Sequence, residues 1–222
     1  MTDKKNHIIE LFEFDKTQIQ NLPVIGTDEA GRGPAAGGVF ASAVYFPVVD
    51  KKLVEMLTDL NDSKQLSKKK RERLFDIIKS NTINSTVCIE VEEIERINIL
   101  KSSLKAMKLA CEEVIHHAEL NDPLVLVDGN NYIREVNFAQ KYVVKGDSHS
   151  ASIAAASILA KVSRDRYMKE LHEKYPRYGW AENSGYLTKL HLEAIDKYGL
   201  TEFHRVSFLK KHFEKQAQLS LF

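Results

Sequence analysis

Val24-Ile25-Gly26-Thr27-Asp28-Glu29-Ala30-Gly31-Arg32-Gly33-Pro34 runs from a short apolar strand straight into two carboxylates and then into a Gly/Pro-rich turn. Two other apolar runs end in the same way. Leu124-Val125-Leu126-Val127, after Pro123, leads to Asp128, and Tyr142-Val143-Val144-Lys145-Gly146 leads to Asp147. Four consecutive apolar residues suit a central strand buried on both faces. An Asp after a strand is also ordinary turn chemistry. One such acid therefore says little, and four at three strand ends say more.

Outward from these strands the pattern is mixed. Val39 to Phe46 reads as a second strand stopped by Pro47, and Ile83 to Val91 as a further one rich in β-branched residues. Ser67 to Lys79 reads as a helix with Ser67 as N-cap. Ile97 to Glu119 carries Leu100, Leu104, Met107, Cys111 and Val114 near the helical period. Ser152 to Leu171 opens on an Ala-rich run that suits a tightly packed helix. Thr188 to Lys197 and Ser207 to Lys215 are helical and basic. Strands, then alternation, then helices predict an α/β fold: a mixed sheet flanked by helices with a helical C-terminal part.

The 222 residues suffice for one domain, and 43% hydrophobic with 28% charged residues excludes disorder as the main state. A net charge of +1 means that any grip on nucleic acid comes from local patches. No apolar run approaches a membrane span of about 20 residues, and the N-terminus has no signal-peptide pattern. Cys88 and Cys111 are too few for a disulfide framework and read as buried thiols of a cytosolic protein.

In open α/β sheets, sites gather at the carboxyl ends of strands. Asp28, Glu29, Asp128 and Asp147 converging there would repel one another and either share protons or bind a cation. Oxygen ligands without His or Cys favour Mg²⁺ or Mn²⁺, and such a site suits phosphoryl transfer. The following Gly31-Arg32-Gly33-Pro34 is neither a dinucleotide loop nor a Walker A loop. Ala36 stands where a third Gly belongs, a strand follows, and no Gly-Lys-Ser/Thr is present. Its glycines permit close backbone approach to a ligand, and Arg32 can fork onto a phosphate. Lys64, Lys68, Lys69, Lys70, Arg71 and Arg73 form one basic cluster, and Arg205, Lys210, Lys211 and Lys215 a second. Either tracks phosphates or is a solvated face. Tyr186, after Asn183-Ser184-Gly185, is a candidate to stack on a sugar or base. His191 and His204 lack metal-ligand spacing and read as packing or surface residues, or at most as phosphate contacts.

These segments resemble the ribonuclease HII family. Asp28 to Pro34 is similar to its signature, and Asp62-Ser63-Lys64-Gln65-Leu66-Ser67 to a second motif, with Gln65 where the family has Lys. Asn98-Ile99-Leu100, Asp128-Gly129-Asn130, Lys145 to Ser148, Ser152 to Ile158, Ala160 to Asp165, Gly185-Tyr186-Leu187-Thr188 and His204 to Phe208 continue the likeness from about Val24 to Phe213. The resemblance implies a ribonuclease H-like mixed β-sheet flanked by helices with a C-terminal helical extension. It implies Mg²⁺- or Mn²⁺-dependent hydrolysis of RNA in RNA–DNA hybrids, including single ribonucleotides embedded in duplex DNA. The cut falls 5′ of the ribonucleotide and leaves 3′-hydroxyl and 5′-phosphate ends. Asp28, Glu29, Asp128 and Asp147 match the metal-binding and catalytic acids. Gly31, Arg32, Gly33 and Tyr186 match the set that reads the ribonucleotide and its junction with DNA. Lys145, Ser148, Lys161 and Arg164 are expected as further phosphate contacts.

Expected along the chain are an N-terminal segment (1–23), a catalytic core (24–175), a helical substrate-binding part (176–217) and a tail (218–222). The tail, Gln218-Leu219-Ser220-Leu221-Phe222, resembles the peptide by which bacterial replication and repair proteins bind the sliding clamp. An extended peptide with alternate anchors is a known recognition mode. The competing outcome is a tail packed on its own domain or frayed. The expectation is a cytoplasmic monomer whose partners are RNA–DNA hybrid, ribonucleotide-containing duplex DNA and the clamp, with no membrane. A resolvase-like nuclease for DNA alone would share the acids but not need Gly31-Arg32-Gly33 or Tyr186. A non-catalytic hybrid binder would do better without negative charge facing phosphates.

Overall fold

The structure, a computed structural model, describes residues 2–18 and 22–219. Its centre is a five-stranded sheet of order β3-β2-β1-β4-β5, formed by β1 (Val24–Ala30), β2 (Val39–Tyr45), β3 (Ile83–Ile89), β4 (Leu124–Asp128) and β5 (Ala139–Val143). β2 is antiparallel to both β1 and β3, whereas β4 is parallel to β1 and β5 to β4. β1 is therefore the central strand, and β4 lies between it and the exposed edge strand β5.

Side chains alternate across the sheet. Ile25, Ala41, Ala43, Val125 and Val127 face α5 (Ile99–His117) and pack with Ala106, Met107, Ala110, Cys111 and Val114. On the other face lies α6 (Ala151–Lys174), buried throughout its first ten residues. The small residues of that run explain the close packing. A Cβ on Gly26 would stand 2.2 Å from the Ile153 nitrogen, so helix backbone touches strand backbone. α1 (Thr2–Gln18) and α3 (Lys68–Asn81) cover α6 from outside. Ile8, Leu11 and Phe12 of α1 join Leu74 and Ile78 of α3 in this core, with Leu53 of α2 (Lys51–Met56) beside them. Of the expected N-terminal segment, α1 is thus built into the catalytic core. Asp15, buried in α1, accepts a hydrogen bond from the Ser152 N–H at 2.9 Å and so helps cap α6.

The C-terminal elements α7 (Trp180–Asn183), α8 (Lys189–Tyr198) and α9 (Val206–Leu219) gather around Trp180. They share Met168 and Leu171 with α6 and Ala35 and Ala36 with the loop after β1. Several expected bounds shift. The helix expected from Ile97 to Glu119 is α5, starting at Ile99, and a further short helix, α4 (Val91–Ile97), precedes it across Asn98 with φ 73°. Asn98 caps α5 by accepting from the Lys101 N–H at 3.1 Å. The strand expected through Val91 ends at Ile89, and α9 runs on to Leu219, so Gln218 and Leu219 are helical. Ser220, Leu221 and Phe222 lie outside the described residues.

Candidate active site

Asp28 and Glu29 lie inside β1, not after it. Thr27 pairs with Val127 across the parallel β1/β4 ladder, so the next residues, Asp28 and Asp128, stand level on adjacent strands. Both belong to the face that carries Gly26, Leu126 and α6, by strand alternation. Asp147 arrives from a one-turn 3₁₀ helix, Gly146–Ser148, which hands the chain to α6. That turn is tied to β4, because the Gly146 N–H donates to Asp128 Oδ1 at 2.7 Å. β5 ends at Val143, so Asp147 belongs to the turn and not to a strand end.

Asp28 and Asp147 are buried, and Glu29 and Asp128 half-buried. Burial raises the pKa of all four above the ordinary carboxylate range, Asp28 most clearly, with Glu29 and Asp128 adding like-charge repulsion. Asp147 is pushed up to about 6 by burial and by Asp62 and Asp128. Opposing this, Arg32 Nη1 donates to Glu29 Oε1 at 3.0 Å, and the Glu29 N–H donates to Asp28 Oδ1 at 2.6 Å. The donors are hard oxygens only, the set that suits Mg²⁺ or Mn²⁺. As placed, no three His, Cys, Asp or Glu side chains among the described residues are drawn into a ready cage. The four acids fit a divalent cation by donor chemistry and mutual repulsion.

Two neighbours, Lys64 and Ser157, were not placed at the acids by the sequence. Lys64 feels Asp62, Asp147, Asp28 and Asp128, which raise its pKa against the effect of burial. The 3₁₀ turn that holds it, Ser63–Gln65, is pinned to α6 by the Ser157 Oγ to Ser63 Oγ hydrogen bond of 2.8 Å. Ser157 also stands near enough to Asp28 to favour its ionised form. The Asp62-Ser63-Lys64 segment was visible as a motif, but nothing local showed that it meets the acids.

Gly31 adopts φ 101°, and a Cβ there would stand 2.1 Å from Arg164 Nε. Arg164 is 2% exposed. Its guanidinium donates to the carbonyls of Ala36, Gly38 and Ser184 at 3.1–3.3 Å. Arg205, fully buried, donates to those of Gly31, Pro34 and Gly37 at 2.6–2.9 Å. Neither has an ion-pair partner among the described residues. Both were expected to reach phosphates; both instead hold the turn after β1 from inside, because seating that turn leaves buried carbonyls that need donors. Lys161 pairs with Asp165 at 2.5 Å. Lys145 is exposed and Ser148 half-buried beside Asp147.

Tyr186 is 54% exposed, and a Cβ on Gly33 would stand 3.2 Å from its ring. The Ala35 N–H donates to the Gly185 carbonyl at 2.9 Å, locking the two loops together. His191 and His204 are buried and structural. Trp180 Nε1–H donates to His191 Nε2 at 3.0 Å, leaving Nδ1–H of His191 to donate to the Tyr186 carbonyl at 3.0 Å. The Thr201 N–H donates to His204 Nδ1 at 2.9 Å, so His204 Nε2–H points at His191 Nε2, 3.2 Å away. This neutral pair fixes the backbone that carries Tyr186.

Comparison with known proteins identifies the family. The family model described as Ribonuclease HII matches residues 25–213. Ribonuclease HII of Rickettsia africae (strain ESF-5) is 48% identical over 200 residues, covering 90% of this chain and 97% of its own. Among solved structures, the PCNA:RNase HII complex from Archaeoglobus fulgidus matches with TM-score 0.67 at 25% identity, over 83% of this chain and 94% of that one. The ribonuclease H2 from Pyrococcus horikoshii OT3 matches with TM-score 0.66 at 26% identity, over 87% and 98%. With four carboxylates at the end of a mixed ribonuclease H-like sheet and a family match across most of its length, this chain belongs to the ribonuclease HII family and is a type 2 ribonuclease H hydrolase.

Proposed function

We propose that the protein cuts the RNA strand of RNA–DNA hybrids and also cuts 5′ of single ribonucleotides embedded in duplex DNA, leaving 3′-hydroxyl and 5′-phosphate ends. The observation that carries this is the juxtaposition of the four acids with a glycine turn overlain by Tyr186. Asp28, Glu29, Asp128 and Asp147 would hold Mg²⁺ or Mn²⁺. A divalent cation bound there supplies Lewis acidity toward water and the scissile phosphate. The chain supplies recognition. Only the 2′-hydroxyl distinguishes RNA from DNA at one position, and Gly31 and Gly33 leave backbone bare enough to approach it. Tyr186, exposed over Gly33, offers a flat ring to the next deoxyribose. Lys64, within electrostatic reach of the acids, offers a positive charge to the phosphate.

A role in ribonucleotide and primer removal during DNA repair and replication follows from this specificity. The complex of the similar Archaeoglobus fulgidus protein with PCNA supports a clamp partner, for which residues 218–222 are the proposed contact.

The test is a cleavage map on end-labelled duplex DNA holding one ribonucleotide, with Mg²⁺, with Mn²⁺ and with chelator. The expected result is a metal-dependent cut 5′ of the ribonucleotide, reduced by Tyr186→Ala more than cleavage of a long hybrid is. Cleavage only within ribonucleotide runs would refute the single-ribonucleotide specificity. No cleavage with either metal would refute the nuclease assignment of these acids.

A further inference from the structure

α5 and the loop joining β4 to β5 enclose a groove of about 920 Å³ that no part of the nuclease site uses. β1, β3 and β4 point the same way, so the first turn of α5, which follows β3 and α4, stands at the sheet end that carries the acids. The loop wall begins at Asn130, two residues after Asp128. The groove therefore runs away from the active site along α5.

Its chemistry is two-sided. Leu104, Leu109 and Ile133 give it an apolar floor. Lys101, Lys105 and Lys108, spaced on one helix face, and Arg134 opposite give it a positive rim, against one lining carboxylate, Glu135. Lys105 pairs with Glu93 at 2.7 Å and Lys108 donates to the Glu135 carbonyl at 2.6 Å. Lys101 and Arg134 have no ion-pair partner among the described residues. At the rim Tyr132, 53% exposed, meets Tyr142, 42% exposed, edge to face with centroids 5.1 Å apart. A double helix would meet the rim with its phosphates and leave floor and rings bare. An unpaired strand offers phosphates and base faces together, the combination that a cationic groove with exposed aromatics binds.

We propose that this groove binds an unpaired nucleic-acid strand leaving the duplex beside the cut. The inference rests on the nuclease reading above for its substrate class.

Binding is measured by fluorescence anisotropy in chelator, on a duplex with one ribonucleotide, either blunt or carrying an unpaired oligothymidine extension 5′ or 3′ of the cut. The wild type should bind one of the extended duplexes about tenfold more tightly than the blunt one, roughly one stacked base. Tyr132→Ala and Lys101→Glu should each erase that gain, with blunt-duplex affinity, metal-dependent cleavage and melting temperature unchanged. No gain with either extension, or a gain surviving both substitutions, overturns the proposal. If the blunt duplex is neither bound nor cut, the nuclease reading fails by itself. Tyr132-dependent binding of free oligothymidine would then still uphold the groove, and its absence would overturn it.

Discussion

Asp28 is buried between Glu29 and Asp128, so ionising it costs stability that an uncharged side chain would not. Its folded pKa is raised, so the folded state holds protons that the unfolded state releases, and stability falls as pH rises above the ordinary carboxylate value of 3.8. Asp28→Asn should therefore abolish metal-dependent cleavage and yet raise the melting temperature in chelator at neutral pH. Relief of about 1 kcal/mol corresponds to roughly 2–4 °C for a chain of this size. Scanning calorimetry with chelator, beside a cleavage assay with Mg²⁺, checks both halves. An unchanged or lower melting temperature would show that the buried carboxylate does not strain the folded state. At this scale residue types were legible but partners were not. Arg164 and Arg205 are donors equally suited to phosphates and to carbonyls, and only the folded turn after β1 showed which they meet.

Elements were read well where the pattern is local. Ser67 caps α3, Thr188 caps α8, and the Ala run opens α6. The short helix α4, between β3 and the positive-φ residue Asn98, was missed. The helical N-terminus was missed because its apolar face, Ile8, Leu11 and Phe12, is short and set among charges. In the C-terminal layer, burial pushes the pKa of His204 down to about 4 and lowers that of His191, both against an ordinary 6.5. With depressed folded pKa values, the unfolded chain binds more protons, so the stabilisation is present above pH 6.5 and is lost as pH falls toward 4. Trp180, the single tryptophan, contacts both rings and reports on them. Its emission should shift as pH falls from 6.5 to 4, with Tyr186-dependent cleavage weakening over the same window. His204→Asn should flatten the emission change, and a profile identical to wild type would exclude the pair as its source.

The whole molecule is three layers, with α5 on one sheet face, α6 under α1 and α3 on the other, and the C-terminal helices closing the acid end. No helix among the described residues is long and apolar enough to cross a membrane. Of the proposed tail, Gln218 and Leu219 end α9, and the clamp reading predicts that 218–222 can be removed without disturbing these layers. Deleting residues 218–222 should abolish sliding-clamp binding, measured by surface plasmon resonance, and leave intrinsic cleavage and melting temperature within error. A fall of several degrees would instead place the tail in the fold. By itself the amino-acid sequence determined the strands, most helices, the four acids and the glycine turn, because periodicity, capping and residue chemistry act over a few residues. Only the tertiary structure decided that Asp28 and Asp128 stand level, that Lys64 comes within electrostatic reach of them, and that two arginines turn inward. Those outcomes depend on strand register and on which polar groups burial leaves without a partner, and residues a hundred or more positions apart settle both.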